Sequence, residues 1–432
     1  MRGVALRDIT PLAVQLFARA AARTLRTSTF VVGYDTRESS AELAIAVANG
    51  LAHENVEVLW ADMAPTPAIA FLGEHCDAAA AVITASHNPY TDNGLKFFGV
   101  GGLKLNDAEE AAIQNEYEQL VAQGAELVTS GHVFTTVDLD AYVAHVCASA
   151  SDIPSGISLV VDCANGAMSA VASAVFSRLG LVVTFAHNQP DGRNINSECG
   201  AAHPETLAQL VTQHGADIGI AFDGDGDRLI AVDEKGVVVD GDHLIAMAAL
   251  DMDQRKQLAA RSVVVTVMTN IGFHRAMSSA GINVITTPVG DRSVLLALDA
   301  HGALLGGEQS GHIIYRHLAT TGDGLLAAVQ LLGILGRQQE SLGQSAQHAM
   351  TSMPQVLVNV ALGNNVSAGD VLARCANDIS AIEQELGNQG RVLVRASGTE
   401  ALIRVMVEAD TENMAKEVAA RLASVVSSSE KK

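Results

Sequence analysis

The sequence predicts an α/β chain: three similar βαβ-rich, mixed-sheet domains followed by a C-terminal α+β domain, set around a central cleft. Three observations point there. Short β-branched runs alternate with helix-period segments, the order that builds largely parallel sheets. The order strand, small-residue turn, helix, strand recurs three times at a spacing of roughly 100 residues, well above solenoid periods. The last stretch breaks that order with a strand, a long helix, two strands around a loop and a final helix. Composition supplies the core. Of 432 residues 48% are hydrophobic and 17% charged, which excludes a disordered chain, and with 4% aromatics the core must be mainly Ala, Val, Leu and Ile.

Along the chain, Thr10-Pro11 reads as an N-cap with Pro at the first helical position, opening an amphipathic helix to about Leu25. That accounts for the basic first 30 residues better than a transit peptide does. Phe30–Gly33 reads as a strand, Ser39-x-x-Glu42 as a capping box, Val56–Trp60 and Ala80–Thr84 as strands with a helix over Pro67–Glu74 between them, and Glu109–Leu120 as a helix. The second set has strands Leu159–Cys163, Val182–Phe185 and Ile218–Phe222 and helices Met168–Leu179 and Glu205–His214. The third has strands Val263–Val267 and Asn283–Thr286 and helices Phe273–Ala280 and Ser293–His301. Strand Val356–Val360, helix Ala368–Leu386, strands Arg391–Arg395 and Leu402–Glu408, and a helix to about Val425 complete it, with a frayed Ser/Lys tail. Pattern changes divide the chain into domains 1–153, 154–255, 256–352 and 353–432.

Charge and cysteine usage narrow the function. Lys and Arg number 27 against 48 Asp and Glu, a net charge of −21, whose field repels phosphate polymers and anionic membranes, so neither nucleic acid nor membrane is an expected partner. A phosphorylated substrate needs a local basic pocket or a divalent cation. Five scattered cysteines without a Cys-x-x-Cys pair read as reduced thiols of a cytoplasmic protein. No apolar run reaches the ~18 residues of a membrane span.

Four loops carry the chemistry. Thr84-Ala85-Ser86-His87-Asn88-Pro89 follows a strand and exposes Ser86, although a turn whose Ser and Asn bond the backbone explains the same residues. An Asn93-Gly94 hairpin turn is expected to fold Lys96 back towards Ser86; a solvated edge lysine is the alternative. Asp223-Gly224-Asp225-Gly226-Asp227-Arg228 is the strongest signal. Glycines let alternate carboxylates converge, and three such anions favour a hard divalent cation with oxygen ligands. No Glu closes an EF-hand geometry, because the segment before Glu234 reads as a strand. Gly306-Gly307-Glu308-Gln309-Ser310-Gly311-His312 offers several hydrogen bonds to a polyhydroxylated ligand, or is a tight hairpin with an incidental His. Arg395-Ala396-Ser397-Gly398-Thr399-Glu400, with Arg404 beyond it, reads as an oxyanion cradle without a Walker lysine, with a plain turn as the alternative. Each loop sits at the carboxyl end of a strand, where open α/β units bind ligands.

Over essentially its whole length, and in motif order, the chain resembles the α-D-phosphohexomutase superfamily, and within it the bacterial branch that acts on glucosamine phosphates. Supporting segments are Val161–Ala167, Asn194–Ala201, Thr320–Gly324 and Leu402–Glu408, together with Gln309, where relatives acting on glucose or mannose phosphates commonly carry Met. The resemblance implies an isomerase that interconverts glucosamine 6-phosphate and glucosamine 1-phosphate for amino-sugar nucleotide synthesis, with a 1,6-bisphosphate as intermediate and activator. It implies that Ser86 is the phosphoserine and that Ser86, Asp223, Asp225 and Asp227 hold one Mg²⁺. Lys96, His312 and Arg2 match catalytic positions. Arg228, Glu308 and Ser310 match substrate contacts, and Arg395, Ser397, Gly398, Thr399 and Arg404 the site of the non-reacting phosphate. A homodimer is compatible.

Two departures stand out. Of the family's N-terminal Gly-Thr-Asp-Gly-x-Arg-Gly stretch only Met1-Arg2-Gly3 is matched, so the first strand is expected to be missing and Arg2 to hang on a free terminus. Ala396 stands where Pro or Lys is common, a change in loop stiffness more than chemistry. Three alternatives stay open: a phosphomannomutase or phosphoglucomutase of the same superfamily, a phosphosugar-binding relative made inactive by the shortened N-terminus, and a metal-dependent phosphatase.

Overall fold

The structure is a computed structural model that describes residues 1–129, 134–149, 151–363, 366–396 and 402–430. The chain forms two compact units: Met1–Met268 with Ala280–Ala349, and Thr269–Ser279 with the chain from Met350 on.

The first unit holds three sheets. In the first, the strands run in the order Arg2–Val4, Asp92–Gly99, Ala79–Ile83, Thr29–Tyr34, Glu57–Met63, Thr135–Thr136, with Leu103–Lys104 pairing onto Asp92–Gly99. The second is ordered Val238–Val239, Leu229–Val232, Ile218–Phe222, Ser158–Asp162, Val182–Ala186. The third is ordered Asn283–Thr287, Ser262–Thr266, Leu305–Gly307, Ile313–Tyr315. The recurrence read from the sequence is a recurrence of topology. In each sheet a first strand pairs in parallel with a second on one side and a third on the other, and a fourth returns antiparallel to the third. The central strands Ala79–Ile83, Ile218–Phe222 and Ser262–Thr266 are buried at every position, as parallel strands covered on both faces must be.

This order sets the site. The loop from third to fourth strand carries Ser86 in the first sheet, the three aspartates in the second and Glu308–His312 in the third. Three loops that differ in sequence are one position of one motif.

The second unit is a three-stranded antiparallel sheet, Gln355–Ala361, Leu402–Ala409, Gly390–Ala396, against helices Ala368–Leu386 and Glu412–Glu430. Helix Ile271–Ser279 belongs to it. The buried Glu408 carboxylate accepts the Ile271 N–H (2.9 Å) and pairs with Arg391 (3.0 Å).

Thr10 caps its helix as expected, accepting the Ala13 N–H at 3.2 Å. Five local expectations are corrected. Ser39 makes no capping bond, because its hydroxyl accepts from the buried Asn93 amide instead (2.9 Å). Asn93-Gly94 is not a turn; it lies inside strand Asp92–Gly99, where Gly94 faces Arg2. A Cβ on Gly94 would stand 2.6 Å from the Thr84 carbonyl, so the glycine serves close packing. The segment 168–179 is broken into a 3₁₀ turn, Ala167–Ala170, and a short helix, Ala172–Arg178. The last helix runs on through the serines to Glu430 rather than ending near Val425. The N-terminus is not stripped of its strand: Arg2–Val4 pairs antiparallel with Asp92–Gly94, and Leu95 donates to the Met1 carbonyl (3.0 Å). Among the described residues, no helix is long and apolar enough to cross a membrane.

Candidate active site

Ser86 sits at the end of a buried strand with a left-handed backbone (φ 51°) and is 3% exposed. Its Oγ donates to Asp223 Oδ2 at 2.6 Å. Asp223, Asp225 and Asp227 are buried, and one ligand oxygen from each lies within 4.8 Å of the others. The glycines between them have no room for side chains. A Cβ on Gly224 would lie 2.7 Å from both the Ser86 carbonyl and Asn196 Nδ2, and Gly226 takes φ 75° against Met168.

The carboxylates are unequal. Burial, then Asp227 and Asp225, push Asp223 well above the ordinary range. Burial also acts to raise Asp225, but Lys96 outweighs it and holds Asp225 below that range. Lys96 Nζ stands 2.7 Å from Asp225 Oδ2 and 3.4 Å from Asp227 Oδ2. Although burial would lower it, Asp225 and Asp227 push the Lys96 ammonium above its ordinary range. Thr66 Oγ1 also donates to Asp225 Oδ2 (2.7 Å), and the Arg228 N–H to Asp223 Oδ1 (3.2 Å). Asp225 Oδ1 and Asp227 Oδ1 have no hydrogen-bond partner in their buried positions. An oxygen-only, anionic donor set with two unpartnered oxygens fits a hard divalent cation.

The third loop lies beside the second. Leu229 donates to the Gly311 carbonyl (2.9 Å), and Arg228 and His312 form an isolated bridge. His312 is buried with neither ring nitrogen hydrogen-bonded, and burial pushes it down to about 4, so it is neutral at pH 7. Glu308 accepts the Gly290 N–H (3.0 Å), and Ser310 is exposed at the tip. A cavity of about 490 Å³ opens beside Lys96 and Asp227, lined also by Thr66, Thr321, Lys104 and Arg292.

The first unit thus brings together Ser86, Lys96, the three aspartates, Arg228, Glu308 and His312. Arg2 joins at the rim, with Nη1 3.2 Å from Asn88 Oδ1. Lys96 reaches the metal loop from the middle of its strand, not from a tight turn, and is 29% exposed rather than a solvated edge lysine. In the second unit Arg395 and Arg404 are directly opposed on neighbouring strands, both half-buried. Ser397, Gly398 and Thr399 lie outside the described residues.

Sequence reasoning missed four participants. Arg37 and Asn196 hold the Ser86 loop through its carbonyls. Thr66 caps Asp225, and His87 Nδ1 lies 3.3 Å from Ser86 Oγ, pushed down to about 4 by burial, Arg228 and Arg2. For Arg37 the available signal was Asp35-Thr36-Arg37, a polar triplet at the carboxyl end of a buried strand; Asn196 and His87 lie in segments already singled out, but without a role. A second cluster, Asp162, His187 and Cys199, is structural. Asp162 already accepts the N–H groups of Ala164 (2.8 Å) and Gly200 (2.9 Å) and bonds His187 Nδ1 (2.9 Å).

Comparison with known proteins agrees with this geometry. Four family profiles match in order: phosphoglucomutase/phosphomannomutase alpha/beta/alpha domain I over residues 1–123, domain II over 140–236, domain III over 240–353, and the C-terminal domain over 357–425. A phosphoglucosamine mutase of Rhodococcus erythropolis is 44% identical over 442 residues, covering 99% of this chain and 98% of that one. The fold is shared with a phosphoglucomutase/phosphomannomutase family protein of Burkholderia thailandensis (TM-score 0.84, 24% identity, 100% and 96% of the two chains). It is also shared with an Aspergillus fumigatus N-acetylphosphoglucosamine mutase solved with GlcNAc-6P and magnesium (TM-score 0.67, 18% identity, 99% and 94%). The chain belongs to the phosphoglucosamine mutase family of the phosphoglucomutase/phosphomannomutase enzymes.

Proposed function

We propose that the chain interconverts D-glucosamine 6-phosphate and α-D-glucosamine 1-phosphate, with Ser86 as the phosphoryl carrier. One observation carries this: Ser86 Oγ is hydrogen-bonded at 2.6 Å to a buried triad of aspartates, two of whose oxygens have no partner. Phosphoserine 86 gives its phosphoryl group to the free hydroxyl of the hexosamine monophosphate. The P–O bond to Ser86 breaks as the bond to the sugar oxygen forms, and the sugar becomes the 1,6-bisphosphate. After the bisphosphate turns over, the other phosphoryl group returns to Ser86. A trace of hexose or hexosamine 1,6-bisphosphate is the activator that first loads the serine.

In this reading Asp223, Asp225, Asp227 and the Ser86 oxygen hold one Mg²⁺, which when bound offsets charge on the transferring group. Lys96 supplies a fixed positive charge at the same place. Neutral His312 is available to take the proton of the attacking hydroxyl. Arg228, Glu308 and Ser310 contact the sugar. Arg395, Ser397, Gly398, Thr399 and Arg404 bind the phosphate that is not reacting, and Arg2 adds charge at the rim. Each domain then supplies one loop: 1–153 the serine, 154–255 the metal, 256–352 the sugar contacts, 353–432 the phosphate cradle.

The test is conversion of glucosamine 1-phosphate to glucosamine 6-phosphate with Mg²⁺ and a trace of glucose 1,6-bisphosphate, run beside glucose and mannose 1-phosphates. A higher kcat/KM for the amino sugar is expected. Preference for glucose or mannose phosphate would reassign the substrate, and no turnover from folded, primed protein would overturn the enzyme reading.

A further inference from the structure

The Ser86 loop is held by two side chains to which the reaction gives no role. Arg37 is buried, its Nε bonded to the buried Asp35 at 2.8 Å. The rest of its guanidinium points into the loop. Nη2 donates to the carbonyls of Ser86 (2.8 Å) and Asn88 (2.9 Å), and Nη1 to those of Asp92 (2.9 Å) and Pro89. Asn196 reaches the same two carbonyls from the second sheet's side, its Nδ2 donating to Ser86 (2.9 Å) and Asn88 (3.1 Å). Two donors from segments 159 positions apart thus converge on one pair of oxygens. Between them Ser86 keeps a left-handed backbone, which a serine does not adopt without support. The metal loop packs on this bond, since Gly224 has no space for a Cβ between Asn196 Nδ2 and the Ser86 carbonyl.

We propose that Arg37 and Asn196 are positioning residues for phosphoryl transfer: they clamp the carbonyls of Ser86 and Asn88, so that Ser86 Oγ stays at the aspartate triad whether or not it carries phosphate. The inference rests on the reading of Ser86 as the carrier. Phosphoryl transfer depends on placement, and a shift of about 1 Å at the reacting atom costs on the order of 100-fold in rate. The clamp's donors are all spent on backbone carbonyls and Asp35, so its loss is expected to act on kcat more than on KM.

The cleanest variant is Asn196→Gly. Asn196 itself has a left-handed backbone (φ 57°), so glycine keeps the turn while the side-chain donor is removed. Arg37→Lys is its partner, keeping a cation beside Asp35 while losing the fork. Turnover, KM, melting temperature and the rate of Ser86 phosphorylation by glucose 1,6-bisphosphate (intact mass) are measured for both, beside Ser86→Ala. For Asn196→Gly the expectation is a kcat lower by about 10- to 100-fold, KM within about threefold, an unchanged melting temperature and a matching slowing of Ser86 phosphorylation. Arg37→Lys should fall the same way. Wild-type kcat in both variants, or a loss of activity that only follows loss of folded protein, overturns the clamp. Turnover by Ser86→Ala would instead overturn the carrier reading, so the two failures are distinct.

Discussion

Replacing Lys96 by Met tests the electrostatics of the site most directly. The side chain lies 2.7 Å from Asp225 and 3.4 Å from Asp227, both buried, while Lys96 itself is 29% exposed. Methionine keeps most of the volume and removes the charge. Breaking a fully buried pair costs about 3–5 kcal/mol, and partial exposure of the lysine screens the interaction, so a loss of roughly 2 kcal/mol is expected in metal-free protein at pH 7. For a chain of this size that lowers the apparent melting temperature by about 2–3 °C. The same change removes the cation that competes with a metal for Asp225 and Asp227. Mg²⁺ should therefore bind the variant more tightly and raise its melting temperature more than it raises that of the wild type. Saturation at a hundredfold excess over Kd contributes about 2.7 kcal/mol, enough to reverse the loss. Thermal melts in EDTA and across an Mg²⁺ series, for both proteins, decide it. Equal stability in EDTA, or an equal or smaller Mg²⁺ response in the variant, would refute the reasoning, because Lys96 would then not be neutralising the triad.

Three further outcomes are expected. Ser86→Ala should retain phosphosugar binding by calorimetry and lose mutase turnover, since only the phosphoryl carrier is removed; turnover near wild type would end the covalent mechanism. Gly224→Ala places a methyl 2.7 Å from the Ser86 carbonyl, so kcat should fall more than about tenfold, with roughly 1–3 kcal/mol of stability lost in denaturant unfolding. Asp323, buried beneath the Tyr142 hydroxyl and accepting the Leu326 N–H, is pushed up to about 6 by burial from an ordinary 3.8. A raised carboxyl holds its proton in the folded state while the unfolded chain releases it, so stability falls as pH rises from about 4 to about 6 and is level above that, roughly 3 kcal/mol lower. Asp323→Asn should remove that slope, measured as the difference between wild type and variant at pH 4 and pH 7; a constant difference would show that Asp323 titrates normally.

The elements that were legible in the sequence are those whose signal is local. Three carboxylates at alternate positions, separated by glycine and placed after an apolar strand, announce a cation site by spacing alone, because Asp223, Asp225 and Asp227 are brought together by their own few residues. The Ser86 turn and the Arg395–Arg404 pair are legible for the same reason, although Ser86, expected to be exposed, is buried. Helices and strands were read well where the apolar period was uninterrupted. They failed where a tertiary contact captured a side chain, as when Asn93 took the Ser39 hydroxyl that would have capped a helix.

The tertiary structure alone decided which distant residues meet. Ser86 binds Asp223 across 137 positions, Thr66 binds Asp225 across 159, and Asn196 binds the Ser86 carbonyl across 110. No local pattern encodes such pairs. Threonine, asparagine and arginine at strand ends are ordinary surface residues until the fold buries them, and burial is what turns their hydrogen bonds into constraints. The sequence determined that this chain carries a serine turn and a loop of three aspartates in repeated α/β units. The packing of those units, by burying them and placing the third-to-fourth strand loops side by side, decided that Ser86, the three aspartates and the Glu308–His312 loop form one cluster.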